Sequence, residues 1–203
     1  QVLVLLVLAV AVLFQWVFPL LADWLDRPAP PWAPRLADHL RRLLADIDAA
    51  HAEPAGRRFP RRMLLQARAL AEQLASEPGV DDRLVHTDLH GQNVLCRPDP
   101  RQWVAIDPKV MAADPAFAVA PVLWNRWGEA ERAHDVRVHL NLRLETVCDA
   151  AGIDPDRARA FGVLRMVRNA LWALAEDAGP GTSPGTQRWL TQAVTIVKAL
   201  QPG

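Results

Sequence analysis

The sequence predicts an α+β chain that is mostly helical, with a short β-hairpin set among the helices. Three observations carry this. Apolar residues recur at three- and four-residue steps through most of the chain, the signature of amphipathic helices. Short β-like runs cluster in one stretch, at Leu84-Val85, Val94-Leu95-Cys96 and Trp103-Val104-Ala105-Ile106. Pairs such as Asp154-Pro155 and Ser183-Pro184 read as a helix cap followed by a first-turn proline.

The chain opens on Val2–Phe14, a wholly apolar run that Gln15 interrupts and Trp16, Val17 and Phe18 extend to Pro19. A membrane-spanning helix needs about 20 apolar residues, and an aromatic end suits a membrane interface. No basic residues lead the run and no small-residue cleavage site follows it, which argues against a secretory signal. It reads as a membrane anchor, as the remnant of an N-terminal strand and hinge, or as junction sequence. The soluble outcome is the expectation, and the first residue, Gln1, reads as the start of a fragment. Residues 1–33 are this segment plus a linker, with four prolines in Arg27–Pro34, and residues 34–203 are the main domain.

The helices follow in order. Leu36, Leu40, Leu43, Leu44 and Ile47 mark one apolar face within Arg35–His51, with Pro34 expected at the first helical position. Met63, Ala67, Leu70, Ala71 and Leu74 mark a second helix that Pro78-Gly79 ends. Arg97-Pro98-Asp99-Pro100 supplies turn chemistry for the hairpin. After Asp114-Pro115 the chain becomes helical again, with one helix from Asp154 to about Glu176 and another after Ser183.

With 203 residues, 51% of them hydrophobic, the chain can bury a sizeable core. Its formal net charge is zero, so no bulk field draws it to nucleic acid or an anionic membrane. Cys96 and Cys148 form no CxxC pair and cannot supply a disulfide framework or a structural zinc site; a reduced, cytoplasmic setting is expected.

The chemistry concentrates in His86-Thr87-Asp88-Leu89-His90-Gly91-Gln92-Asn93 and in Ile106-Asp107. Asp88 and Asn93 lie five residues apart on a loop, and Asp107 follows the far strand of the hairpin. A hairpin folds its ends together, so Asn93 and Asp107 become neighbours. Their oxygens suit Mg²⁺, which takes carboxylate plus substrate phosphate. Asp88 is then free to face an acceptor hydroxyl, a division of labour suited to phosphoryl transfer. Other readings stand beside this one. His86, Asp88 and His90 can be drawn as zinc or iron ligands of a hydrolase, which gives Asn93 no task. His90 alone suits loop packing or the substrate side. Lys109 can contact phosphate, pair with Asp107 or form a structural salt bridge. Trp124, Trp127 and Trp172 can stack on a sugar or serve the core. Glu176 and Asp177 can attract a cationic group or be a solvated helix end, and Glu145 and Asp149 share that ambiguity.

The segments Val85–Leu95, Trp103–Lys109 and Ala113–Asn125 resemble the aminoglycoside phosphotransferase superfamily, in its streptomycin 6-kinase and hydroxyurea-kinase branch. The resemblance implies a protein-kinase-like C-terminal lobe with the metal site on the hairpin, and an enzyme that moves phosphate from ATP to an alcohol. It implies Asp88 as catalytic base and Asn93 and Asp107 as Mg²⁺ ligands, with His86, His90 and Lys109 supporting the loop. Its acceptor would be a small polar molecule such as streptomycin, which makes antibiotic resistance the expected role. The superfamily usually has Gly at Thr87 and often Asp at Ala118. No glycine-rich phosphate loop and no Lys precede Asp88, so an N-terminal lobe reads as missing or degenerate. A truncated, inactive remnant, tethered to a membrane or not, is the alternative.

Overall fold

The computed structural model describes residues 27–52, 59–98, 103–177 and 181–201. The apolar run Val2–Phe18 lies outside them. Among the described residues no helix is long and apolar enough to cross a membrane.

Two helices come first, α1 (Leu36–Ala52) and α2 (Arg61–Ala75), and they pack against each other. Leu36, Leu40, Leu43 and Ile47 of α1 are buried, and so are Met63, Leu64, Ala67, Ala71 and Leu74 of α2. The helical step that marked these faces in sequence is the face that packs. One expectation fails at the start of α1. Pro34 does not open the helix, because its carbonyl accepts a hydrogen bond from Ala112 N (2.8 Å) and Arg35 bridges to the strand there.

Four short strands follow: β1 (Arg83–His86), β2 (Val94–Cys96), β3 (Trp103–Ala105) and β4 (Val110–Ala113). The predicted hairpin is β2–β3, with Val94 opposite Ala105. The strand β4 was not foreseen in the sequence. It pairs antiparallel with β1, His86 opposite Val110, so the β2–β3 hairpin is nested inside a second, wider pair. The chain then makes a 3₁₀ turn (Pro115–Val119) and runs through α3 (Pro121–Trp124), α4 (Trp127–Glu131), α5 (Val136–Ala151), α6 (Pro155–Glu176) and α7 (Pro184–Ala199). Asp154 and Ser183 cap α6 and α7 as their sequence predicts, through Asp156 N (2.9 Å) and Thr186 N (3.2 Å). The architecture is mostly helical α+β.

The helix α6 is the central element, packed against α1, α2, α5, α7 and the 3₁₀ turn. Its buried residues, Ala158, Phe161, Gly162, Val163, Leu164, Met166, Val167 and Ala170, therefore surround it rather than forming one stripe. At Gly162 a Cβ would meet the Leu123 and Leu200 methyls at 2.9 Å, so glycine is what lets α3 and α7 approach so closely. Ion pairs staple the periphery. Arg35 donates from Nε and Nη2 to the Asp81 carboxylate (2.8 and 2.9 Å). Arg157 donates to Glu77 (2.5 Å) and Asp114 (2.6 Å), tying α6 to the end of α2 and to the 3₁₀ turn.

One buried group gives the core a pH dependence. His39 of α1 is buried edge-on against Phe117, with ring centroids 5.7 Å apart. Burial, reinforced by the Arg168, Arg165 and Arg42 guanidiniums, pushes its pKa from 6.5 down to about 3. The folded ring stays neutral while the unfolded chain takes up a proton as the pH falls through 6.5. Stability is therefore undiminished by this group at neutral pH. It drains away below pH 6.5 and levels off near pH 3. The slope is about 1.4 kcal/mol per pH unit, or roughly 2 kcal/mol lost by about pH 5. Urea unfolding at neutral and mildly acidic pH checks this. His39→Phe should lose clearly less stability on acidification than the unsubstituted chain, and equal losses would acquit His39.

Candidate active site

Nested hairpins bring two loops together. The outer pair, β1–β4, continues one step past its last strand residues, where Thr87 N and Oγ1 both donate to the Lys109 carbonyl (2.9 and 3.0 Å). The inner hairpin is likewise extended by Ile106 N, which donates to the Asn93 carbonyl (2.9 Å). The loop from Thr87 to Asn93 and the loop from Ile106 to Lys109 therefore lie side by side. Asp88, Asn93, Asp107 and Lys109 all belong to this one seam.

Each residue singled out in the sequence has a definite setting there. His86 Nδ1 accepts from Asp88 N (3.1 Å), so its ring proton sits on Nε2, which reaches the Ile106 carbonyl (3.2 Å). His86 thus bridges the two loops. Asn93 is buried and donates its amide to the Asp88 carbonyl (2.9 Å). Lys109 Nζ pairs with Asp88 Oδ2 at 2.5 Å, with the lysine side chain 65% exposed and the aspartate 20%. The partner of Lys109 is therefore Asp88 rather than Asp107, and Asp88 is not free as the sequence suggested. The bond to Asp88 raises the Lys109 pKa, and the Asp107 charge adds to it. His90 Nδ1 accepts from Gln92 N (3.3 Å), capping a 3₁₀ turn at Gly91–Asn93, while its Nε2 lies 3.7 Å from Asp88 Oδ1.

Asp107 adopts a left-handed backbone, φ 51°, a conformation that Asp accepts more readily than most residues. Among the described residues its carboxylate takes no hydrogen bond or ion pair, and the Asn93 side-chain oxygen has no donor. Two oxygens left over on adjoining backbone segments are the donor chemistry that Mg²⁺ prefers, so the residues present fit that ion. The alternative zinc or iron set does not fit. Both ring nitrogens of His86 are engaged with backbone, and no three His, Cys, Asp or Glu side chains converge among the described residues.

The remaining candidates have settings of their own. Glu176 ends α6, and Asp177 accepts from Ser183 N (2.7 Å) in the connection to α7. Glu145 is paired with Arg159. Trp124 and Trp127 pack against the core, whereas Trp172 is 66% exposed. Sequence reasoning missed Arg165. It donates from α6 to the Thr87 carbonyl at 3.0 Å, directly beneath the loop. The available signal was a lone charge inside the apolar run Phe161–Val167, since arginine is seldom withdrawn from water without a task.

A mostly helical α+β body with nested hairpins that carry Asp88, Asn93 and Asp107 on adjoining loops fits the C-terminal part of a kinase-like phosphotransferase. Residues 22–177 match the family described as aminoglycoside/hydroxyurea antibiotic resistance kinase, and the chain belongs to that family. It is similar to a streptomycin 6-kinase of Streptomyces glaucescens, 36% identical over 185 residues, which cover 90% of this chain and 55% of that protein. A hydroxyurea phosphotransferase of Kitasatospora aureofaciens is 36% identical over 147 residues, covering 71% of this chain and 40% of that protein. A streptomycin 6-kinase of Streptomyces griseus is 32% identical over 157 residues, covering 77% and 50%. The chain thus spans about half the length of these curated relatives.

Proposed function

We propose that this protein carries the catalytic loop of an ATP-dependent phosphotransferase acting on a hydroxyl of a small polar molecule, an aminocyclitol antibiotic such as streptomycin being the preferred acceptor. The observation that supports this reading most strongly is the seam itself, with Asp88 held on one loop and the unengaged oxygens of Asn93 and Asp107 beside it.

In this reading Asp88 orients the acceptor hydroxyl and takes its proton through Oδ1, because Oδ2 is held by Lys109. The acceptor oxygen forms its bond to the γ-phosphorus as the bond from that phosphorus to the leaving ADP oxygen breaks. Asn93 and Asp107 would hold Mg²⁺, which when bound neutralises charge on the phosphate oxygens. Lys109, largely exposed, adds a positive charge at the same seam. His86 and His90 keep the loop in shape. Glu176, exposed at the end of α6, is the candidate contact for a cationic group on the acceptor, with Asp177 beside it.

The reading is consistent with a soluble, cytoplasmic enzyme of antibiotic resistance. Incubating the full chain with Mg·ATP and streptomycin, and in parallel hydroxyurea, tests it. Phosphorylated streptomycin is the expected product. Transfer to hydroxyurea alone would reassign the acceptor, and ATP consumption with neither acceptor modified would defeat the proposal.

A further inference from the structure

The backbone around Asp88 is held at every polar position. Thr87 N donates to the Lys109 carbonyl (2.9 Å) and Asn93 donates to the Asp88 carbonyl (2.9 Å). Between them lies the peptide group joining Thr87 to Asp88. Its N–H donates to His86 Nδ1 (3.1 Å), and its carbonyl accepts from Arg165 Nη1 (3.0 Å). Three of these four partners sit on the hairpin strands and loops. Arg165 alone comes from the helical body, 78 residues further along the chain.

Arg165 is costly to keep where it is. Its guanidinium lies 4.6 Å from the centre of the Phe117 ring and 5.2 Å from that of Trp124. Among the described residues no carboxylate is within ion-pair distance of it. Burial pushes its pKa down to about 10, with Arg168 adding to the effect and the charge of Asp88 opposing it. Arg165 is only partly exposed, and a cation that gives up part of its hydration without an ion pair loses some of its solvation free energy. The two ring faces and one carbonyl offset part of this. With the rings on its faces, Nη1 of the guanidinium is aimed at the Thr87 carbonyl.

We infer that Arg165 is a positioning residue for phosphoryl transfer, clamping the Thr87–Asp88 peptide from the α6 side while His86 clamps it from the other, so that the Asp88 carboxylate is fixed relative to the helical body. The inference rests on the catalytic role proposed for Asp88. It assigns Arg165 no contact with substrate. A misplacement of the order of 1 Å at a reacting group can cost about 10²-fold in rate, which sets the size of effect a lost clamp should show.

The test uses Arg165→Met and Arg165→Lys in the full chain, read by kcat and KM in the transfer assay and by residue-resolved amide hydrogen exchange. In Arg165→Met, kcat should fall by about 10²-fold, with KM for nucleotide and acceptor little changed. Exchange at the Asp88 amide should accelerate while Ile196 and Val197 in the core of α7 keep their protection. Arg165→Lys should recover part of kcat. A folded Arg165→Met with unchanged kcat and unchanged Asp88 exchange overturns the inference. So does a loss of protection spread evenly over the core, which would make Arg165 a packing residue only. If the Met variant does not fold, the Lys variant decides: faster Asp88 exchange over an intact core supports the clamp, and unchanged exchange overturns it. If the unsubstituted chain transfers no phosphate to any acceptor, the kinetic arm is silent on Arg165. Exchange at the Asp88 amide then still decides whether Arg165 holds the peptide.

Discussion

Asp88→Asn is expected to lower kcat for phosphate transfer by about 10²–10⁴-fold, the usual cost of removing a general base. The substitution is nearly isosteric. The new side-chain oxygen can still accept from Lys109, and the backbone bonds to His86, Asn93 and Arg165 are untouched, so the loop keeps its shape. What is lost is the ability to take the acceptor's proton. KM should change little, because the proton is transferred only on the way to the transition state. Steady-state kinetics with streptomycin and Mg·ATP make the measurement, and the melting curve should coincide with that of the unsubstituted chain. Undiminished turnover in the Asn variant would remove Asp88 from the chemistry and leave its ion pair with Lys109 as a structural feature.

The largest effect on stability is expected from Phe161→Ala. Phe161 is fully buried in α6, edge-on to Phe117 at 5.7 Å, with the Arg157 guanidinium 5.5 Å from its ring centre. Removing the ring deletes apolar burial and leaves a cavity that a helix packed on so many sides cannot close. The expected cost is about 3–5 kcal/mol, which for a chain of this size lowers the melting temperature by roughly 10 °C. Arg157 would also lose a ring face, while its bonds to Glu77 and Asp114 remain. Urea unfolding measures the change. A loss under about 1 kcal/mol would mean that Phe117 and its neighbours relax into the space, at the low end of what core truncations show.

The two effects are separable because they act on different layers of the same unit. Phe117 touches both, facing Phe161 on one side and Arg165 on another. Arg165 in turn meets the Thr87 carbonyl. Packing in the helical body and placement of the catalytic loop are thus joined through one aromatic ring. A destabilised Phe161→Ala protein that retains its kcat below its melting temperature would show that the loop tolerates a loosened core.

Features that depend on near neighbours were legible in the chain before it folded. Leu36, Leu40, Leu43 and Ile47 declared the buried face of α1, and Asp154-Pro155 and Ser183-Pro184 declared the starts of α6 and α7, because helix periodicity and capping operate over three or four residues. The hairpin and the identity of the Asp88–Asn93 loop were legible for the same reason. The tertiary structure decided what distant segments do to one another. Val110–Ala113 is too short and too weakly patterned to announce a strand, and it becomes one only because β1 offers it partners. That pairing brings Lys109 to Asp88 instead of Asp107. The role of Arg165 depends on a contact across 78 residues, between a helix and a loop whose meeting is set by how α6 packs. No local pattern encodes such a contact, since its free energy comes from burial and hydrogen bonding that exist only once the chain has folded.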